Sequence, residues 1–278
     1  MTGVSTEVRD GGRLVVNRAF APALDAAGLR TAADFLNLTP DEVVRDVDRR
    51  VTARYELPAG AGAGSGPGTF YIKRHGRPPA KEFVKPLLRL TRPVLGARPE
   101  WEALLRFHAV GLPTMVPVAF GTGAGGGGSF VMTQALEDCD RADLWAEARR
   151  GDDSPSARAD RAALADAVAD LARRMHAAGT HHQDFYLCHM LLPRGRAVSA
   201  VKVIDLGRVR THAALPDRWR VKDLAQLLHS AGPVPARDLV RFLRAYLGRP
   251  LTPADRPLIA RVLRKSRRIG RHTVKHAL

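Results

Sequence analysis

The chain changes character about halfway along, and this change limits the folds open to it. Up to about residue 140 the pattern predicts strands, including 51–57 and 69–74, with one helix predicted at 98–110. Beyond that point helical patterns predominate, the strongest of them at 157–178. A β-rich part followed by a larger α-rich part indicates an α+β fold.

The remaining predicted elements are shorter and have weaker patterns. In the first part we predict a strand at 13–16, helical structure at 20–37 around Gly28, and one helical turn beginning at Pro40. Two short runs, 115–120 and 129–133, have strand character. In the second part the predicted elements are a strand pair at 190–192 and 201–206 and helices at 219–230, 236–247 and 254–269.

The composition is that of a globular protein with an anionic partner. The 278 residues can bury a sizeable core, and neither a secretory signal nor an apolar run of about 18 residues occurs. Two cysteines make no disulfide framework, so a cytoplasmic location is expected. The net charge of +16 favours a nucleic acid, an anionic membrane surface or a phosphorylated substrate.

A run of seven basic residues lies near the carboxyl terminus, between residues 261 and 275. A basic helix of this kind suits an anionic membrane or glycolipid, although a solvated helix face would have the same composition. No nucleic-acid motif accompanies it, and an aromatic content of 6% is low for stacking on bases. We therefore expect no nucleic-acid partner.

Two acidic residues stand at turns beside short apolar strands. Asp184 lies in the stretch 181–192, HHQDFYLCHMLL, after the long predicted helix. Asp205 follows the β-branched run 201–204 about twenty residues later. Two carboxylates placed in this way are typical of a kinase active site, in which one orients the acceptor hydroxyl and the other binds magnesium.

The first part of the chain carries the matching basic and acidic residues. Lys73 lies on a predicted strand, as the phosphate-binding lysine of kinases does. Glu100 lies at the start of the next predicted helix, where an acid that positions this lysine is needed. Glu102 is a competing candidate for the same role, and either acid would also suit the first turn of any helix.

The sequence resembles the lipopolysaccharide kinase family, which phosphorylates heptose or Kdo sugars of the lipopolysaccharide core. The likeness rests on four stretches that span most of residues 50–250. Its most specific part is the joint occurrence of DFYLCH after His182-Gln183 and RWRVKDL at 218–224. The stretches are YIKRH (71–75), LGARPEWEALLRFHAVGLPTMVPVAFG (95–121), RRMHAAGTHHQDFYLCHMLL (173–192) and VIDLGRVRTHAALPDRWRVKDLAQLLHS (203–230).

The resemblance implies a two-lobed protein-kinase-like fold. Residues 1–136 would form a small β-rich N-lobe with an N-terminal extension, and residues 137–278 a larger helical C-lobe. The implied reaction is ATP- and Mg²⁺-dependent transfer of phosphate to a core sugar. Its acceptor would be a lipid-linked core oligosaccharide or a similar anionic glycolipid, met by a cytoplasmic enzyme lying peripherally on the inner face of the inner membrane.

The resemblance also assigns site residues. Asp184 matches the catalytic aspartate, Asp205 the magnesium aspartate, Lys73 the ATP-phosphate lysine and Glu100 its partner. His189 stands where protein kinases place a metal-binding asparagine, and would bind metal or brace the loop. Asp223 would support the catalytic loop by binding its backbone.

Two positions depart from the kinase pattern. Gln183 stands where many kinases have arginine before the catalytic aspartate, and Gly207 stands where family members often have histidine. The first departure weakens any case for regulation by a phosphorylated activation loop. Neither removes an atom that the chemistry needs.

Other interpretations remain open for several motifs. The histidines beside Cys188 lack the spacing of a zinc site, and the cysteine is expected to be a packed thiol. The glycine runs at 60–68 and 123–128 are typical of hairpin tips and not of phosphate loops.

A nucleotide-covering hairpin is more plausible at 46–58, which has no glycine. This gap supports one rival function, a catalytically inactive kinase-like binding or stress protein; a nucleic-acid-binding protein is the weaker rival.

Overall fold

The computed structural model describes residues 3–47, 49–57, 68–76 and 96–276. The chain divides into two compact units. The first contains residues 1–111 and 115–135, and the second contains residues 112–114 and 136–278.

The first unit is built on an antiparallel sheet. Among the described residues its strands follow the order β1-β2-β6-β7-β5-β4-β3. Three helices of the described residues belong to the same unit. The strands are β1 Thr6–Arg9, β2 Leu14–Asn17, β3 Glu42–Val47, β4 Arg50–Leu57, β5 Gly68–His75, β6 Pro117–Thr122 and β7 Ser129–Gln134, and the helices are α1 Ala21–Ala26, α2 Ala32–Asn37 and α3 Arg98–Ala109.

The segment after Pro40 is a strand, and the prediction of a helical turn there was wrong. β3 pairs along its length with β4, from Glu42 opposite Arg54 to Val47 opposite Arg50. The carboxylate of Asp41, which suggested a helix start, accepts the Glu56 amide at 2.7 Å. Pairing with β4 therefore outweighs the helix-start signal at Pro40. The β-branched residues of this segment also favour a strand.

The N-terminal helices supply part of the core of this unit. Phe20, just before α1, meets Phe70 of β5 edge to face, with ring centroids 6.0 Å apart. Phe35 of α2 stacks on Phe130 of β7 at 4.7 Å. Arg74 donates to the carbonyl oxygens at the end of α2, including that of Phe35 at 2.7 Å. The N-terminal segment is thus an integral part of the sheet's packing.

Helix α3 turns one face inward because its apolar residues recur at helical spacing. Trp101, Leu104 and Phe107 are buried, together with the acidic Glu100. Its first turn contains Pro99, and the chain leaves the helix through Gly111, whose φ is +68°.

The second unit is mainly helical, as the sequence pattern predicts. The long helix α5 packs on α7, and α6 packs on α8. Short strands form two small sheets, of order β11-β10-β8 and β12-β9. The helices are α4 Ala142–Ala148, α5 Pro155–Ala177, α6 Asp217–Ser230, α7 Ala236–Leu247 and α8 Arg256–His276, and the strands are β8 Cys139–Arg141, β9 Thr180–His181, β10 Met190–Pro193, β11 Lys202–Val203 and β12 Arg210–Thr211.

The end of α5 leads directly to the acidic loop at 182–189. The Ser154 hydroxyl caps the start of this helix by accepting the Ala157 amide. After its last residues Gly179 has a φ of +70°, and its carbonyl oxygen accepts a hydrogen bond from the His212 amide at 2.8 Å. A side chain at Gly179 would lie 2.2 Å from the His212 carbonyl, so only glycine allows β9 and β12 to pair here.

A cavity of about 610 Å³ lies within the second unit. Its wall is formed mainly by aliphatic and aromatic side chains of α4, α5, α6 and α7, and arginines lie at its edge. Nothing in the sequence pattern predicted it. Over the parts of the chain that the structure describes, every helix is too short or too polar to cross a bilayer.

Candidate active site

The first unit brings Lys73 and Glu100 together. Lys73 Nζ lies 2.7 Å from Glu100 Oε1, and the glutamate side chain is only 4% exposed. Glu102, the competing candidate, is largely exposed and lies 3.8 Å from Arg98 one turn away. Because α3 turns Glu100 and not Glu102 toward β5, the ammonium of Lys73 is held by a buried carboxylate.

In the second unit Asp184 lies on a loop whose backbone is fixed by α6. Asp223 Oδ2 accepts the His182 amide at 2.7 Å, and Asp223 Oδ1 accepts the Gln183 amide at 3.0 Å. The Phe185 amide donates to Gln226 Oε1 at 3.2 Å. Gln183 has a φ of +71°, a strained backbone that these bonds stabilise.

Asp223 is itself held in a buried polar network. Its side chain is fully buried, and its Oδ2 lies 3.4 Å from His176 Nε2. The other ring nitrogen of His176 lies 2.9 Å from the Tyr246 hydroxyl on α7. Burial raises the pKa of Asp223, but the hydrogen bonds from His176 and the His182 amide outweigh it and hold the pKa below its usual value.

Asp205 is exposed and stands at a break in the predicted strand 201–206. Only Lys202–Val203 pair as a strand, because Asp205 has a φ of +59° and the chain turns into a 3₁₀ helix at Leu206–Arg208. This turn leaves 49% of the Asp205 side chain exposed. The carboxylate is therefore accessible to a ligand.

Histidines join the two acidic loops. His182 Nε2 lies 3.1 Å from the Ile204 carbonyl, and burial lowers the pKa of His182, which keeps its ring neutral. The Ile204 amide donates to the His189 carbonyl at 2.9 Å. His189 Nδ1 lies 2.7 Å from the Asp184 carbonyl, so this ring braces the loop while its Nε2 lies 3.9 Å from Asp205 Oδ2.

Arg208 contacts Asp184, an interaction that the sequence analysis did not predict. Its Nη1 lies 2.9 Å from Oδ1 and 3.1 Å from Oδ2 of Asp184. Gln183 Nε2 donates to the Arg208 carbonyl at 2.9 Å, which ties the backbone of the second loop to the first. No spacing rule in the sequence pairs residues 184 and 208, because the contact depends on how the two loops fold back.

The groups available to a metal ion are few. Asp205 offers carboxylate oxygens and His189 offers Nε2, since its Nδ1 is bound to the loop. In the described part of the chain no group of three or more His, Cys, Asp or Glu side chains is arranged to hold a metal ion. The Asp205 carboxylate fits Mg²⁺ in a kinase, because this ion binds one or two carboxylates and completes its shell with phosphate oxygens and water, whereas an imidazole nitrogen suits softer metals better.

Comparisons with known proteins bear on this site directly. The model of the lipopolysaccharide kinase (Kdo/WaaP) family matches residues 40–246. The chain belongs to this family.

Characterised relatives and a solved structure agree. The lipopolysaccharide core heptose(I) kinase WaaP of Pseudomonas aeruginosa is 39% identical over 219 residues, which cover 76% of this chain and 78% of the relative. The enzyme of the same name from Escherichia coli K12 is 37% identical over 227 residues, covering 76% and 79%. A structure of WaaP in complex with acyl carrier protein matches with a TM-score of 0.72 at 33% identity, over 92% of this chain and 98% of that one.

These comparisons confirm the predicted family, the α+β protein-kinase-like fold and the class of enzyme, a kinase of a lipopolysaccharide core sugar. Membership of a kinase family also implies the use of ATP. The roles of individual residues and the identity of the metal stay predictions. The structure supplies the contacts that these residues make.

Proposed function

We propose that this chain transfers the γ-phosphoryl group of ATP to a hydroxyl of a heptose in the lipopolysaccharide core, with Asp184 as the catalytic residue. The observation that supports this most directly is the pair of accessible carboxylates, Asp184 and Asp205, on two loops joined through His182 and His189. The relatives named heptose(I) kinases favour heptose over Kdo as the acceptor.

In this proposal Asp184 hydrogen-bonds the acceptor hydroxyl and orients its oxygen toward the γ-phosphorus. As the new O–P bond forms and the bond to the ADP oxygen breaks, the hydroxyl proton passes to the Asp184 carboxylate. Positioning and electrostatics supply most of the catalysis in phosphoryl transfer. The fixed backbone of the loop, bonded to Asp223, meets that requirement because it holds the carboxylate in one place.

Asp205 is the proposed Mg²⁺ ligand, with His189 Nε2 as a second donor. When bound, the ion neutralises charge that develops on the phosphate oxygens. Lys73 is the proposed nucleotide-phosphate ligand. Its ion pair with the buried Glu100 fixes the direction of the ammonium group in the first unit.

We place the reaction at the cytoplasmic face of the inner membrane, where a lipid-linked core oligosaccharide would be the acceptor. Helix α8 carries Arg264, Lys265, Arg267 and Arg268 in one run, which suits contact with anionic lipid. The proposal is tested by replacing all four with Gln and measuring sedimentation with vesicles that contain anionic phospholipid. Unchanged binding of this variant would assign the helix to ordinary solvation.

A second proposed partner is an acyl carrier protein, as in the solved WaaP complex. The supporting observation is the cavity of about 610 Å³, a size typical of ligand pockets, lined by apolar residues such as Leu164, Leu228 and Phe242. Arg150 and Arg237 at its edge are exposed and would complement an acidic carrier.

The carrier proposal predicts that binding depends on the acyl chain. Calorimetry with a long-chain acylated carrier should give binding that the carrier without an acyl group lacks. Leu228→Trp, which narrows the cavity at a half-buried position, should weaken binding while leaving the unfolding temperature close to that of the wild type. Equal affinity for the two carriers would contradict a role for the cavity.

The kinase proposal is tested by measuring ATP consumption with heptose-containing core acceptors and identifying the product by mass spectrometry. Asp205→Asn should weaken nucleotide binding most at low magnesium, because an amide is a poorer ligand for a hard cation than a carboxylate. Lys73→Ala should weaken nucleotide binding at every magnesium concentration. A wild-type protein that binds ATP but phosphorylates no acceptor would favour the inactive kinase-like alternative.

A further inference from the structure

Arg208 is placed to do more than neutralise Asp184. One of its nitrogens, Nη1, lies within hydrogen-bond distance of both carboxylate oxygens of Asp184. The remaining donors, Nε and Nη2, make no hydrogen bond with the described part of the chain. The Arg208 side chain is 54% exposed and that of Asp184 is 20% exposed. The guanidinium group therefore presents unused donors to solvent beside the proposed catalytic carboxylate.

The backbone holds Arg208 at this position. Its carbonyl accepts Gln183 Nε2, and the following residues pair with β9 through Arg210 and Thr211. The preceding turn is closed by the Val209 amide, which donates to the Leu206 carbonyl at 3.0 Å. The base of the side chain is thus fixed to the catalytic loop, and only the guanidinium group is free to change partner.

A second cation lies within electrostatic reach. Burial lowers the pKa of Lys222 on α6, the Arg208 guanidinium lowers it further, and Asp184 acts in the opposite direction. Lys222 is half-buried beside Trp219, with its Nζ 5.5 Å from the ring centroid. Lys222 therefore adds a second positive charge near Asp184, which the buried Asp223 partly offsets.

An acceptor hydroxyl has to share Asp184 with Arg208. Nη1 takes one acceptor site on each carboxylate oxygen, so the hydroxyl either binds beside the guanidinium or takes its place. Water is a poor replacement partner for a guanidinium, whereas an oxyanion accepts parallel, charge-assisted hydrogen bonds from it. An acceptor that brings its own anionic group would therefore free Asp184 at the least cost.

We propose that Arg208 is an acceptor-binding residue that recognises an anionic substituent, a carboxylate or a phosphate, next to the hydroxyl that is phosphorylated. This inference rests on the proposed function of Asp184 and adds the chemical class of the acceptor to it. When the acceptor binds, the Arg208 guanidinium moves from Asp184 to that anion. Binding of the correct sugar therefore releases the catalytic carboxylate.

The test compares three forms of one heptose-containing core fragment: untreated, with its carboxyl groups methyl-esterified, and with its phosphates enzymatically removed. For the wild-type protein, kcat/KM should fall by about 10- to 100-fold for the form that lacks the recognised anion. Arg208→Gln should remove this preference by lowering kcat/KM for the untreated fragment alone. Arg208→Lys should restore part of it, since it keeps the charge without the guanidinium geometry.

Arg196→Gln is the matched control, because it removes one exposed positive charge from a turn of the same unit, after β10. It should keep the wild-type preference. Equal kcat/KM for all three forms with the wild type would overturn the inference. So would an Arg208→Gln variant that loses activity equally on all three, or one whose only change is a raised KM for ATP.

Binding measured by calorimetry separates this inference from the proposed function. If the wild type binds the untreated fragment more tightly than the neutralised forms, and Arg208→Gln does not, Arg208 recognises the anion. If the same experiments detect no phosphate transfer, the kinase proposal fails and the inference about Arg208 stands. If phosphate is transferred but neither binding nor turnover depends on the anion, the inference about Arg208 fails and the kinase proposal stands.

Discussion

Two kinds of carboxylate lie within one small region of the second unit, and they differ in burial and in the kind of partner they have. Asp223 is fully buried, and two backbone amides and His176 surround it. Asp184 and Asp205 are partly exposed, and Asp184 is paired with the exposed side chain of Arg208. A buried carboxylate bonded to fixed backbone amides stabilises a shape, whereas a partly exposed one with a movable partner can take a proton or a ligand.

The largest expected effect separates Asp184 from Asp223 by activity. Asp184→Asn should lower kcat by about 10²- to 10⁴-fold, because an amide does not accept the hydroxyl proton. MgATP affinity and the unfolding temperature should stay close to the wild type, since the side chain is not part of the core. Turnover assays with calorimetry and thermal unfolding check this. An Asp184→Asn variant with a lowered unfolding temperature and an unchanged kcat would reverse the roles assigned to Asp184 and Asp223.

Asp223 should show the opposite balance. Asp223→Ala removes the partner of two buried amides and of His176, so the free energy of unfolding should fall by about 3–5 kcal/mol. Denaturant titration measures this loss. Asp217→Ala is the control on the same helix, where an exposed acid paired with Arg261 should contribute about 1 kcal/mol or less. Full stability with lost turnover would make Asp223 a reactive group.

A third prediction concerns the pH dependence of β9, the short strand that leads into the loop at 182–189. Burial lowers the pKa of His181 to about 4, and its ring stacks on Trp219 at 4.5 Å. An unfolded histidine titrates near 6.5, so between these values the unfolded state binds more protons. The contribution to stability is fully present above about pH 6.5, is lost as the pH falls toward 4, and is reduced by about 2–3 kcal/mol at pH 4.5.

The measurement is denaturant unfolding at pH 7 and pH 4.5 for the wild type and for His181→Phe. The phenyl ring keeps the stacking and does not titrate, so the variant should lose less stability on acidification. His182 is present in both proteins and contributes equally. An identical loss in the two proteins would show that His181 is not the group that takes up the proton.

The smallest expected effect lies at the edge of the Asp223 network. Tyr246→Phe removes the hydroxyl that lies 2.9 Å from His176 Nδ1, which should cost about 1 kcal/mol of unfolding free energy. Activity should be retained, because the change lies two side chains away from the loop. A loss of turnover without a loss of stability would connect this network to the chemistry and not to the scaffold.

The sequence alone was informative where a pattern repeats or a motif is contiguous. The helix predicted at 157–178 begins only two residues earlier, at Pro155, because its apolar spacing and the following glycine mark it locally. The acids Asp184 and Asp205 stood out because each follows a recognisable segment and because the family resemblance aligned them.

The features that the sequence did not indicate all depend on contacts between distant segments. β3 became a strand because β4 pairs with it, against the helix-start signal at Pro40. The contact between Arg208 and Asp184 depends on the folding back of two loops 24 residues apart. The cavity depends on how four helices pack. None of these contacts produces a periodic pattern in the amino-acid sequence.

The left-handed backbone at Asp205 limits which residues can stand there. Aspartate, asparagine and glycine adopt this conformation readily, while most others pay about 1–2 kcal/mol to do so. Alanine at Asp205 would therefore remove a ligand and strain the turn at once, so its effect on activity would overstate the chemical loss. Among descendants of such an enzyme, asparagine or glycine at this position would indicate a protein that retains the kinase fold but has lost the catalytic activity.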